Sequence, residues 1–286
     1  MRKIALYGKG GIGKSTVSSN VSAALSNMGI KVMQVGCDPK RDSIATLCGG
    51  LLKPTILDET RDRGVSEEVI LSCVHQGYNG ILGVESGGPK PGVGCGGRGV
   101  LVALQMLEKY NIFDRHGIEW ATFDVLGDVV CGGFAQPMRA GYAKEVYIVT
   151  CGEILTLHQI TNIARAVRTL AEQGIETGVA GLIDNQRGVP HEREIVEEVA
   201  ELMGVPVIHH IPRSRTVQDS ELKGQTVIQA FPASPQADEY RALANKIRNN
   251  TETFIPNIVT LKEIKPIVAK YGGGFASPKN GSQAAS

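Results

Sequence analysis

"GKGGIGKST", residues 8 to 16, satisfies the spacing G-x-x-x-x-G-K-[ST] from Gly8 through Gly13, Lys14 and Ser15. The apolar run "KIALYG" precedes it and the helix-patterned "KSTVSSNVSAALSNM" follows, which is the strand-loop-helix setting such a loop needs. Gly10, Gly11 and Gly13 let backbone N–H groups, Ile12's among them, close around a β-phosphate, and the helix N-terminus adds partial positive charge. Lys14 neutralises β- and γ-oxygens, and Ser15, with Thr16 next to it, offers a hydroxyl to Mg²⁺.

Working outward, "KVMQVG", "GILGVE", "EWATFD", "EVYIVT", "TGVAGLI" and "VPVIHHI" repeat the character of the first run: short, apolar on both faces, and separated by helix-patterned segments. Strand and helix in alternation predict an α/β fold, a doubly wound, mostly parallel sheet of seven or eight strands of the P-loop NTPase kind. Residues 1 to 270 are expected to form a single domain, and the polar end from 271 to 286, "SPKNGSQAAS" within it, to be a flexible tail.

Lys+Arg 30 against Asp+Glu 29 leaves a formal charge of +1, without a basic block. Neither a nucleic acid nor a membrane is expected as a partner. "MRKIALYGKGG" reaches its glycines too soon for a secretory leader, and a cytoplasmic protein is expected.

Sheets of this kind bind ligands at the carboxyl ends of their strands, where Asp residues now draw notice. "GCDPKRDS" puts Asp38 and Asp42 after the second strand, and "FDVLGD" puts Asp124 and Asp128 after the fourth. Carboxylates are needed near a γ-phosphate to hold Mg²⁺ and orient water. Asp124 is assigned to the metal side and Asp38 to water activation or Mg²⁺ contact, while Asp42 before "SIATL" is also placed to cap a helix.

Six cysteines lack any C-x-x-C pair, so no ribbon or ferredoxin spacing is present. Cys37, Cys48, Cys73 and Cys151 read as small buried residues. Cys95 in "PGVGCGGRGV" and Cys131 in "DVVCGGFAQPMR" differ, each followed by glycines and then an expected helix start, where amide N–H groups favour thiolate. Cys131 lies seven positions after Asp124, a span of at most ~25 Å, so it must feel movement of that segment. Two thiolates do not complete a four-iron cluster, but a symmetric dimer with both cysteines at its two-fold axis supplies four.

Lys9 is an extra lysine in the loop, and with it the chain resembles the deviant Walker A ATPases, which form sandwich dimers across which such a lysine reaches phosphate. "YGKGGIGKST", "VGCDPKRDS", "ESGGPKPGVGCGGRG", "DVLGDVVCGGFAQPMR" and "QADEYRALANKI" further resemble the nitrogenase iron-protein family over residues 2 to about 270. That resemblance implies a homodimer with one [4Fe-4S] cluster bridged by Cys95 and Cys131 of both chains, and MgATP in each chain. It also implies a low-potential ferredoxin or flavodoxin as donor and a larger nitrogenase-like catalytic component as acceptor. Lys9, Lys14, Asp38 and Asp128 would serve hydrolysis; Gly8, Asn185, Pro212, Arg213, Gln218 and Gln236 would join the nucleotide site; and Arg98 would sit on the docking face. "IATLCGGLLKPTILDETRDRG" and the short tail look more like the nitrogenase-like relatives that reduce tetrapyrroles or organosulfur compounds than like the nitrogen-fixing members. A partition-type positioning ATPase and a metallocluster scaffold ATPase are the alternative readings.

Overall fold

The structure, a computed structural model, describes residues 1–88, 96–127, 135–139 and 141–271. Eight strands form one sheet: β1 (Arg2–Gly8), β2 (Val32–Cys37), β3 (His75–Gln76), β4 (Leu82–Glu85), β5 (Trp120–Val125), β6 (Glu145–Thr150), β7 (Gly178–Asn185) and β8 (Val207–Ile211). Their order is β3-β4-β2-β5-β1-β6-β7-β8. Every neighbouring pair is parallel except β3 with β4. The seven apolar runs are the seven parallel strands. β3 escapes a sequence reading because two polar residues, His75 and Gln76, carry no alternation to detect.

Burial on both faces follows from helices packed on each side. Along β1, Ala5 and Tyr7 enter one apolar core and Ile4 and Leu6 the other, all fully buried. The helix Lys14–Asn27 continues from the glycine loop and is nearly all buried, serines included. Two of them are held by partners: Ser22 Oγ donates to Gln34 Oε1 at 2.9 Å, and Ser19 Oγ to the Ser43 carbonyl at 3.0 Å, while Ser18 Oγ has no partner among the described residues. Small hydroxyl side chains thus let the helix lie close on β2 and fix the segment after it.

β5 lies between β2 and β1, so Asp124 stands level with Leu6 on one side and Gly36 on the other. The carboxyl ends of β1, β2 and β5 therefore open beside one another. The chain leaves β4 toward Cys95 and β5 toward Cys131, both of which lie outside the described residues, as do Asp128 and the expected tail from 272 onward. Tyr271 closes the helix Leu261–Tyr271, its hydroxyl donating to Glu198 at 2.5 Å. No helix among the described residues is long and apolar enough to cross a membrane.

Candidate functional site: a phosphate cradle at the ends of β1, β2 and β5

Gly8 ends β1 where a side chain would stand 2.7 Å from the Val149 carbonyl oxygen of β6, so only glycine lets the loop turn there. Gly11 and Gly13 have φ of 79° and 93°, the left-handed conformation that turns successive amides inward. A Cβ on Gly13 would fall 2.5 Å from Asn185 Nδ2, the amide that donates to the Ile12 carbonyl at 2.7 Å. Ile12 itself is buried in the core below, pinning the loop from beneath. Asn185 at the end of β7 thus braces the cradle two strands away from β1.

The cradle opens on a cavity of about 380 Å³. Lys9, Gly10, Gly11, Gly13, Lys14, Ser15 and Thr16 line it, with Asp38, Asp42, Asn185, Pro212, Arg213, Gln218 and Gln236. The structure therefore brings together most of the positions singled out in the sequence. Asp124 stands behind that wall, fully buried, with its Oδ1 2.5 Å from Lys14 Nζ. Its Oδ2 has no partner among the described residues. A buried carboxylate with one free oxygen, one lysine away from the cradle, fits a site for a phosphate-bound divalent cation. Gln236, buried on the cavity wall beside the Tyr240 hydroxyl, with its Nε2 making no hydrogen bond of ordinary geometry among the described residues, fits a polar ligand such as a nucleoside. Cavity, cradle and orphaned polar atoms together suit MgATP.

Asp38 is nearly buried, its Oδ1 accepting from the Lys40 N–H at 2.9 Å, and burial holds its carboxyl above the usual carboxylate range. Raised basicity suits a group that takes a proton from attacking water. Asp42 departs from the capping role: the short turn Ala45–Cys48 starts from Ile44 without a side-chain cap, and exposed Asp42 lines the cavity instead.

The sequence reading missed Arg187, whose guanidinium donates to the Gly11 carbonyl, and whose own carbonyl accepts from Arg213 Nη1 at 2.8 Å. It missed Glu221 too, which accepts from Thr16 Oγ1 at 2.9 Å. Glu85 is a third omission. It ends β4 fully buried, Oε1 accepting from the Ile44 N–H at 2.8 Å and Oε2 without a partner among the described residues. Burial first, then the charges of Asp124, Asp42 and Asp38, push its pKa from 4.5 up to about 8, and Cys37 and Cys48 are the other titratable groups in its field.

The folded protein therefore keeps the Glu85 proton over a range where the unfolded chain has lost it, so stability falls as pH rises from about 4.5 to about 8. The slope from this group is at most ~1.4 kcal/mol per pH unit. In denaturant titrations across that window, Glu85→Gln is expected to decline less steeply than wild type. Parallel curves would show that Glu85 ionises normally.

Four described cysteines are unpaired thiols. Burial raises the pKa of each, Cys73 to about 11, so none has thiolate character. Among the described residues no group of three or more His, Cys, Asp or Glu could hold a metal ion. A helix of 14 residues, Gly96–Lys109, starts directly after Cys95, and its amide end suits a thiolate ligand there. The first helical residues described after Cys131 are Gln136–Arg139. Arg98 is exposed in the first turn of the former.

The family model for 4Fe-4S iron sulfur cluster binding proteins, NifH/frxC family, matches residues 2–273. The nitrogenase iron protein of Methanospirillum hungatei is 47% identical over 272 residues, 95% of this chain and 96% of its own. Among solved structures, the septum site-determining protein MinD of Pyrococcus horikoshii, complexed with Mg-ADP, superposes with a TM-score of 0.64 at 21% identity, covering 87% of this chain and 97% of its own. A ParA family ATPase from Chlorobium tepidum gives a TM-score of 0.63 at 18% identity over 85% and 98%. At those identities the two structures establish the fold alone.

Proposed function

This chain belongs to the NifH/frxC family of 4Fe-4S iron–sulfur cluster binding proteins, and from that premise we propose that it is an ATP-dependent electron donor to a larger catalytic component. The family's cofactors are a [4Fe-4S] cluster and MgATP. In the proposed assembly two copies of the chain share one cluster through Cys95 and Cys131 of each. The cluster would supply a single low-potential electron. A ferredoxin or flavodoxin would recharge it, and a nitrogenase-like partner reducing dinitrogen, an organosulfur compound or a tetrapyrrole would receive the electron.

One observation carries this reading. The Gly127 N–H donates to the Gly8 carbonyl at 2.9 Å, and a Cβ on Gly127 would strike that same carbonyl at 2.5 Å. The segment leading to Cys131, four residues further on, is thus seated on the first residue of the phosphate loop. Gln159 Nε2 holds the Gly127 carbonyl from the other side at 2.5 Å.

Within this arrangement Lys14 is the residue that senses nucleotide. Without phosphate its ammonium is held by Asp124, and a triphosphate in the cradle competes for it. Asp124 then has both oxygens free for the metal side, and it sits three residues before Gly127 on the same strand exit. Ser15 would add a hydroxyl ligand to Mg²⁺, Asp38 would take the proton of the attacking water, and Lys9 would reach the second chain's phosphates. Asp128 and Arg98 keep their proposed roles in hydrolysis and docking.

The test is anaerobic capture of the partner on the reduced protein, followed by electron delivery with and without MgATP. Reduction of the captured partner only while MgATP is hydrolysed is the expected result. Equal reduction without nucleotide would remove the proposed role.

A further inference from the structure

β4 ends in a carboxyl group for which the cradle chemistry has no use. Glu85 is not on the cavity wall, yet its side chain occupies the space a residue larger than glycine at position 36 would fill: a Cβ there would lie 2.0 Å from Glu85 Oε2 and 2.7 Å from Ser43 Cβ. Gly36 thus admits the carboxyl between β2 and the segment that follows Asp42. There Glu85 Oε1 accepts from the Ile44 N–H, two residues beyond Asp42. The Ile44 side chain packs 3.0 Å from where a Cβ on Gly83 of β4 would stand, so backbone and side chain of Ile44 both engage this strand.

Immediately after Glu85, the Ser86 N–H donates to the Gly36 carbonyl at 2.8 Å and the Ser86 carbonyl accepts from the Leu57 N–H at 3.2 Å. Segment 38–44 is anchored at several points, among them Arg41, paired with Asp58 at 3.0 Å, and Pro39, which lies 2.7 Å from where a Cβ on Gly88 would stand. Ser43 ties it to the cradle helix and β2, through Ser19 Oγ at 3.0 Å and Gln34 Nε2 at 2.9 Å. Ile44 ties it to β4.

We propose that Glu85 is a positioning residue that transmits the state of the nucleotide-facing segment 38–44 to the exit of β4, residues 86–88. The hydrogen bond from Ile44 is the transmitting contact. Asp38 and Asp42 line the cavity, so a phosphate-bound cation that draws them inward moves Ile44, and the buried carboxyl carries that movement into β4. This is a second path out of the cavity, separate from the Gly8–Gly127 contact. At neutral pH the carboxyl is mostly in its neutral form, so Gln keeps the accepting oxygen and Ala removes it.

The inference rests on MgATP entering the cavity, which calorimetry of the same samples checks independently. Backbone hydrogen exchange is measured on wild type, Glu85→Gln and Glu85→Ala with and without MgATP, in peptides covering 38–48 and 78–88. In wild type, MgATP is expected to change exchange in both peptides. Glu85→Gln should keep both changes. Glu85→Ala should bind MgATP within about threefold of wild type, since Glu85 is not on the cavity wall, and keep the change in 38–48 while losing at least half of that in 78–88.

Retention of the full 78–88 change in Glu85→Ala would overturn the proposal, as would a loss of MgATP binding in that folded variant. Should the alanine variant fail to fold, wild type alone decides: a response in 38–48 with none in 78–88 shows that no movement is transmitted. Absence of MgATP binding in wild type would instead count against the proposed function.

Discussion

Lys14→Ala is expected to weaken MgATP binding by about 100-fold or more, equivalent to ~2.8 kcal/mol, because the buried ammonium next to the loop, with its charge-assisted contacts to β- and γ-oxygens, is lost. It should also lower the unfolding free energy by ~3–5 kcal/mol, since it strips from Asp124, a carboxylate with no exposure, the one partner it has among the described residues. Calorimetry with MgATP and urea titration read the two effects separately. Adding Asp124→Asn to Lys14→Ala should restore much of the stability but none of the binding, because the amide removes the buried charge without replacing the ammonium. Binding of MgATP by Lys14→Ala within tenfold of wild type would mean that the cradle amides hold the triphosphate unaided.

The second large effect concerns the arm that leaves Gly127. Removal of iron by a chelator, followed by absorbance under anaerobic conditions, is expected to accelerate about tenfold or more when MgATP is added. A rearrangement worth only ~1.4 kcal/mol suffices for that factor. Seating of the arm on Gly8, with Gln159 Nε2 on the Gly127 carbonyl, sets where the motion begins. MgADP should have a smaller effect, because the γ-phosphate is what competes with Asp124 for Lys14. Chelation indifferent to both nucleotides would leave the cradle and the cysteines as two unrelated features.

What could be read from the residues follows from how local each signal is. The cradle announces itself because Gly8 to Thr16 carries its strand, loop and helix in one stretch, and Asp124 because it ends an apolar run. Asn185 and Gln236 entered only through family resemblance. Their place at the cradle is made by β7 lying two strands from β1 and by the packing of the helix Pro235–Asn249, which no short window encodes. Arg187 gave no signal, since its contact is to a backbone carbonyl 176 positions away. Glu85 in "GILGVE" looks like the polar end of a strand, and its burial depends on a glycine at position 36 in the adjacent strand. Asp42 shows the converse, a residue type that often caps helices placed where the following turn takes no side-chain cap.

The central claim is that Cys95 and Cys131 of two chains hold one cluster whose exposure the nucleotide governs. It is tested most directly by iron analysis and native mass measurement of anaerobically purified protein, wild type beside Cys95→Ser and Cys131→Ser. The account predicts about four iron atoms per two chains in wild type, as four thiolates around one four-iron cluster require, and close to none in either variant. Four iron atoms in each single chain, or iron content unchanged by both substitutions, would contradict it.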